Sequence, residues 1–308
     1  MKAEVQTLRA SISYGGALRL LFASVRPQEW VKNVFVFAPL FFSQKLLNLE
    51  LLAQSFVAFG YFCLASGGVY LINDICDRHR DKKHPQKSSR PIASGALSVG
   101  VALAAAIFLL GTAIIGAFLL NLPFGLVTLS YVALNLAYSN WLKHVVILDV
   151  FSIAAGFVLR VVAGAVVVDV VMSHWLLVCT TLLALFLGFG KRRSELVNLT
   201  KDATLHRGVL AEYDPLFLDM MIGIVTSVTV VAYIFYTISH ETVQRLHSDK
   251  LLLTVPFVLY GIFRFLYQIY HKNGGGDPSR TLVTDGSLLV NIILWGAVCG
   301  LILYGATP

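Results

Sequence analysis

The chain has 308 residues, 57% of them hydrophobic and only 13% charged, with a mean hydropathy of +0.75 and a formal net charge of +7. Soluble domains carry about a quarter charged residues and roughly 45–50% apolar ones. The composition therefore excludes a soluble enzyme, a disordered tail or a disulfide scaffold, and points to an all-α polytopic membrane protein.

In chain order, the first 30 residues lack a compact apolar core followed by a small-residue cleavage site, so no cleavable signal peptide is expected. A spanning helix needs ~20 mostly apolar residues. Residues 33–49 are apolar except for Lys45 and read as a short first span with an interfacial cation. Residues 51–73 carry no charge and run directly into Asn73-Asp74. The stretch 91–142 contains neither charge nor His. It is too long for one crossing and fits two, split at Asn121-Leu122-Pro123. Further spans are expected at 146–168, 174–190, 217–239, 250–271 and 286–306, which makes nine transmembrane helices.

Nine crossings put the termini on opposite sides. One side then holds 19 of the 24 Lys and Arg and the other holds three, Lys45, Arg245 and Lys250; Arg160 and Arg264 fall inside spans. By the positive-inside bias the N-terminus and the two long polar loops, 74–96 and 190–215, are cytoplasmic, and the C-terminus lies outside the inner (cell) membrane. The basic excess suits anionic ligands and cytoplasmic loops, with no nucleic acid partner. Residues 1–308 read as a single domain. Cys63, Cys76, Cys179 and Cys299 form no CxxC pair and read as free thiols.

The first polar loop runs Asn73-Asp74-Ile75-Cys76-Asp77-Arg78-His79-Arg80-Asp81, then Lys82, Lys83, His84 and Pro85. On a helix Asp74, Asp77 and Asp81 project from one face, joined by Asn73. Carboxylates gathered at a membrane surface repel unless a cation bridges them. One or two carboxylates plus substrate phosphates are the usual way to hold Mg²⁺. The alternative is a solvated cap with Asp–Arg pairing along a helix end. Arg90 before Pro91 is the best phosphate-binding candidate of the cations that follow, because a guanidinium grips phosphate bidentately.

The second loop begins Gly188-Phe189-Gly190-Lys191-Arg192-Arg193-Ser194-Glu195. Lys191 and Arg192 read as phosphate binders or as a positive-inside stop signal, with Glu195 one turn beyond Lys191 and a flexible Gly-Phe-Gly entry before them. Asp149 and Arg160 share one span about 16 Å apart along its axis, too far to pair with each other. Asp149 lies towards the site; Arg160 binds an anion at depth or neutralises an acid from another helix. Tyr138 and Lys143 mark a short loop between spans, where a tyrosine is ordinarily an interfacial anchor. Gly274-Gly275-Gly276-Asp277-Pro278, with Arg280 and Asp285, reads as ordinary loop polarity. HExxH, nucleophile-elbow, GxGxxG and Walker patterns are absent from the sequence.

The pattern Asn-Asp-x-x-Asp-x-x-x-Asp from Asn73 to Asp81, after the second of nine spans, resembles the UbiA superfamily of intramembrane prenyltransferases. Most members carry a second Asp-rich motif after span 6, where this chain has Gly-Lys-Arg-Arg-Ser-Glu at 190–195. That departure resembles the decaprenyl-phosphate phosphoribosyltransferase branch. Arg26-Pro27-x-x-Trp30-Val31-Lys32-Asn33, His84-Pro85, Arg90-Pro91-Ile92-Ala93-x-Gly95 and Tyr138 ahead of Leu142-Lys143-His144 also match.

The resemblance implies nine helices around a central cavity, Mg²⁺ held by Asn73, Asp74, Asp77 and Asp81, and two substrates, phosphoribosyl pyrophosphate and a polyprenyl phosphate. The expected reaction is phosphoribosyl transfer with release of pyrophosphate, feeding a cell-envelope glycan precursor. In that reading Asp74, Asp77 and Asp81 are catalytic, Lys191 and Arg192 hold the 5-phosphate or the lipid phosphate, and Glu195 meets ribose hydroxyls or a metal. Lys32, Arg90 and Lys143 are further phosphate contacts. The alternatives are a UbiA-type prenyltransferase acting on an aromatic or other acceptor, and a transporter of anionic lipids or metabolites that uses the same loops for binding only.

Overall fold

The computed structural model describes residues 14–83, 87–198, 208–246, 248–272 and 276–305, and every regular element among them is a helix. Charge-free runs become helices, and polar or proline-bearing junctions end them. Eight are long and apolar enough to cross a membrane: α1 (Leu49–Cys76), α2 (Val99–Leu120), α3 (Leu122–Asn140), α4 (Leu148–Val167), α5 (His174–Asn198), α6 (Pro215–Ile238), α7 (Val255–His271, extended by a three-ten turn over Lys250–Thr254) and α8 (Gly286–Tyr304). Short polar side chains set several starts. Ser98 accepts from the Val101 N–H to open α2, and Asn121 accepts from the Phe124 N–H at 2.7 Å to open α3, which divides 91–142 where expected.

The first expected span takes a different form. Residues Pro27–Phe37 are a three-ten helix and Ala38–Phe42 a short α-helix. Pro39 has no N–H to donate to the Phe35 carbonyl, so an unbroken α-helical ladder cannot run through it. The segment nevertheless follows α4 closely. Asn33 accepts from Arg160 Nε at 2.8 Å, Phe35 meets Phe157 edge to face at 5.1 Å, and Pro39, Phe42 and Ser43 line a cleft with Val170–Ser173. Gly164 permits this approach, because a Cβ there would lie 1.9 Å from the Val36 carbonyl oxygen. From Phe157 to the end of α4 at Val167 the segment accompanies roughly 15 Å of rise. Among the described residues there are thus eight span-length helices and one irregular run laid along one of them.

The structure groups into two compact units. The first comprises Met1–Val31 and Gly60–Asn140; the second comprises Lys32–Phe59 and Trp141–Pro308. In the first, Leu71, Ile92, Leu97, Ala102 and Ala106 form a core with Leu21 and Val25 against it. The second is centred on α4, α5 and α6, with Val150, Phe157, Phe186, Leu210 and Leu218 buried together. Small residues and interhelical polar contacts bind helices where lipid supplies no hydrophobic drive. One such contact runs from Trp295 Nε1 to the Tyr233 hydroxyl at 3.0 Å, and that hydroxyl also meets Thr254 at 2.7 Å. Large apolar side chains such as Phe108, Ile115 and Leu119 remain exposed, as expected of a lipid-facing surface.

Candidate active site

The acid motif closes the last turn of α1 in the first unit. The Asp77 N–H donates to the Asn73 carbonyl at 2.8 Å, and the Asp77 carbonyl then accepts from Arg80 and Asp81 as the short helix Arg78–Asp81 begins. The nearly continuous helical path puts Asp74 and Asp81 on one face, both buried, with Asn73 and Asp77 half-buried.

The bridging cation in the structure is a guanidinium. Arg90 Nη1 donates to Asp74 Oδ1 at 3.1 Å and to Asp81 Oδ2 at 2.6 Å. Two oxygens bonded to one nitrogen at those lengths are at most 5.7 Å apart, the sum of the two distances. Arg26 also pairs with Asp74 Oδ1 and lies 5.0 Å from the Tyr70 ring centroid. Burial works against a charged Arg26, but the Asp74 carboxylate outweighs it and holds the guanidinium above its usual pKa. Sequence reasoning alone does not place Arg26 at the site. Its signal was the Arg26-Pro27 pair in the family-like motif, and Arg26 turns the chain there with φ of 53°.

In the second unit α5 runs on to Asn198, so the expected loop 190–215 begins as helix. The Gly-Phe-Gly entry serves close packing and not flexibility: a Cβ on Gly188 would sit 2.6 Å from Val150 Cγ1, and one on Gly190 would sit 2.7 Å from Ile269 Cδ1. Arg192 is fully buried. Its Nε donates to Asp149 Oδ2 at 2.5 Å and its Nη1 to Glu195 Oε2 at 2.7 Å. Glu195 therefore works with Arg192, three residues away.

Tyr213, which the sequence did not single out, completes this network. Its hydroxyl donates to Asp149 Oδ1 and accepts from the Ile147 N–H, both at 2.7 Å. Ile147 stands at φ 70°, an uncommon setting for a β-branched residue, just before α4. Burial, with the Asp149 hydrogen bond adding to it, pushes the Tyr213 phenol well up.

Arg193 donates to Asp219 Oδ1 at 2.9 Å and lies over the Tyr270 ring at 4.1 Å. Arg160 is buried against Asn33 and the Gly156 carbonyl, so it and Asp149 take separate partners. Lys143 is buried, and Lys32, Tyr138 and Lys191 are half-buried. Asp285 caps α8 and pairs with Arg264, 2.8 Å at the nearer contact, and with Gln268. The Arg264 hydrogen bond holds the Asp285 carboxyl below its usual pKa. His84 and Pro85 of the first motif, Lys2, Arg9, Lys201, Arg207, Gly274 and Gly275 lie outside the described residues.

Among the described residues no three His, Cys, Asp or Glu side chains stand close enough together to hold a metal. The donor set at Asn73–Asp81 still suits a hard divalent cation: every donor is oxygen, and Asp74 and Asp81 already converge on one positive nitrogen. Arg90 holds the position between them.

Residues 34–282 match the UbiA prenyltransferase family. The chain is 30% identical over 297 residues to decaprenyl-phosphate phosphoribosyltransferase of Mycolicibacterium smegmatis, covering 92% of each chain. It is also 30% identical to the enzyme of that name from Corynebacterium glutamicum, over 89% of this chain and 84% of the relative. A UbiA homologue from Archaeoglobus fulgidus, solved with DMAPP and Mg²⁺, superposes with a TM-score of 0.70 at 18% identity, over 93% of this chain and 99% of that one. That likeness concerns the fold.

Proposed function

This chain belongs to the UbiA prenyltransferase family, and from that premise we propose that it transfers the 5-phosphoribosyl group of phosphoribosyl pyrophosphate to a polyprenyl phosphate, releasing pyrophosphate. One observation carries the choice of this reaction over prenyl transfer. After α5 begins its polar stretch, where other members place a second acidic motif, the acids near it are each engaged by arginine: Asp149 and Glu195 by Arg192, and Asp219 by Arg193. That pairing occupies the carboxylates a second metal cluster would need, which disfavours a prenyl diphosphate site built on two acidic motifs. The relatives of that name support the same reading.

When bound at Asn73, Asp74, Asp77 and Asp81, Mg²⁺ supplies charge neutralisation for the leaving diphosphate. Arg90 and Arg26, released from the carboxylates, would grip the diphosphate oxygens. Lys32, Lys143 and Lys191 would hold the 5-phosphate and the lipid phosphate. The C1–O bond to pyrophosphate breaks with its electron pair leaving on the pyrophosphate, and a lipid phosphate oxygen forms the new C1–O bond from the opposite face. That oxygen is already ionised at neutral pH, so no general base is required. Cationic side chains fixed before the reaction favour the charge that builds on the leaving group.

The site would face the cytoplasm of the inner membrane, with the C-terminus outside, in keeping with the 19-to-3 division of basic residues. The test is to supply purified protein in nanodiscs with ribose-labelled phosphoribosyl pyrophosphate plus polyprenyl phosphate, or with prenyl diphosphate plus aromatic acceptors. Label entering the lipid fraction with stoichiometric pyrophosphate supports the proposal. Turnover only of the prenyl diphosphate pair refutes it, and label transport without pyrophosphate release points to a carrier.

A further inference from the structure

Resting on the proposed metal–diphosphate reading of the acid motif, we infer that Arg90 and Arg26 make the site refuse a bare divalent cation and accept one only together with its diphosphate. The two buried carboxylates, Asp74 and Asp81, are matched by two guanidiniums, and Arg90 Nη1 lies between them at 3.1 and 2.6 Å. Counting only these four groups, the cluster is neutral. A dication arriving alone must expel Arg90 from the gap and leave two uncompensated guanidiniums beside it. A cation arriving with a diphosphate brings the anion those guanidiniums need. Arg90 then exchanges carboxylate oxygens for diphosphate oxygens without losing charge-assisted hydrogen bonds. Both arginines keep some solvent contact, with side chains 18% (Arg26) and 25% (Arg90) exposed, so neither is locked in place. The arginines thereby couple metal binding to substrate binding, and metal need not reside in the resting protein.

The experiment titrates Mn²⁺ alone into the full chain in nanodiscs and reads free Mn²⁺ by electron paramagnetic resonance. Wild type should bind weakly. Arg90→Gln should bind Mn²⁺ at least tenfold more tightly, Arg26→Gln should move in the same direction, and Arg90→Lys should resemble wild type. Adding Asp81→Asn to Arg90→Gln should erase the gain, which locates the ion. Size exclusion and thermal melting confirm that each variant is folded, and Arg26→Gln serves if Arg90→Gln is not. Glutamine variants that bind Mn²⁺ no better than wild type overturn the inference, as does tight binding by wild type itself. Because the readout is metal and not product, the inference can fail while phosphoribosyl transfer stands, or survive if the transferred group is different.

Discussion

The buried pair of Arg192 and Asp149 permits a sharp test, because the sequence alone reads Arg192 as a phosphate ligand and the structure makes it an internal tie. Both side chains have 0% exposure. Removing one partner of a buried ion pair costs about 3–5 kcal/mol, since the other charge is left without compensation. Asp149→Asn keeps an oxygen for the Tyr213 hydroxyl and leaves Arg192 its 2.7 Å contact with Glu195, so it belongs near the low end, about 3 kcal/mol. Arg192→Met strands the Asp149 carboxylate beside the neutral Tyr213 hydroxyl, and belongs near the high end, about 5 kcal/mol.

The double variant removes both charges, and Glu195, whose side chain is 23% exposed, can turn to water. Its loss should fall well short of the sum of the singles, giving an interaction energy of about 3 kcal/mol, roughly a hundredfold in the folding equilibrium. The assay is equilibrium unfolding of the four proteins in mixed micelles with increasing SDS. Singles that each lose under about 1 kcal/mol and simply add, as exposed pairs do, would refute the argument. A folded Arg192→Met whose only defect is a raised KM for phosphoribosyl pyrophosphate would restore the ligand reading.

Gly164→Ala should abolish the monodisperse folded protein on size exclusion, because its Cβ meets the Val36 backbone; Gly223→Ala, with nothing within 4 Å, is the tolerated control. Asp77→Asn should reduce turnover to background while the protein keeps its wild-type melting temperature; full activity would remove Asp77 from the metal site. The lowered Asp285 pKa means its pairing contributes stability that is present above the ordinary carboxylate value of about 3.9 and is lost as pH falls through the lower folded value. Thermal stability of the solubilised wild type should therefore fall on acidification through that window more steeply than that of Asp285→Asn, and parallel curves would exclude the contribution.

Span positions were legible because lipid imposes length and apolarity, and those are properties of consecutive residues. The Asn121 split followed from local chemistry in the same way. Pro27–Phe42 was harder: its form depends on Pro39 and on a glycine far along the chain, Gly164, whose missing side chain admits a backbone. Residue type at the candidate site was legible, partner choice was not. Arg78 and Arg80 are nearest to the acids in sequence, yet they are exposed, and the pairing falls to Arg90 and to Arg26, 48 positions from Asp74. Tyr213 reaches Asp149 across 64 positions with no motif to announce it.

The two arginine–carboxylate clusters differ in a way that separates an exchangeable pairing from a permanent one. An acid at the end of an apolar helix needs a positive partner in either case. In the first unit the carboxylates are buried but both guanidiniums retain solvent contact. They can turn to a ligand's oxygens if a cation takes their place at the carboxylates. In the second unit Arg192 has no solvent contact, and the same exchange would first have to break a pair buried on both sides, at a cost of about 3–5 kcal/mol. Burial therefore assigns ligand exchange to Arg26 and Arg90 and positioning to Arg192. A cation chemically suited to phosphate binding becomes scaffold once its own protein supplies the anion first.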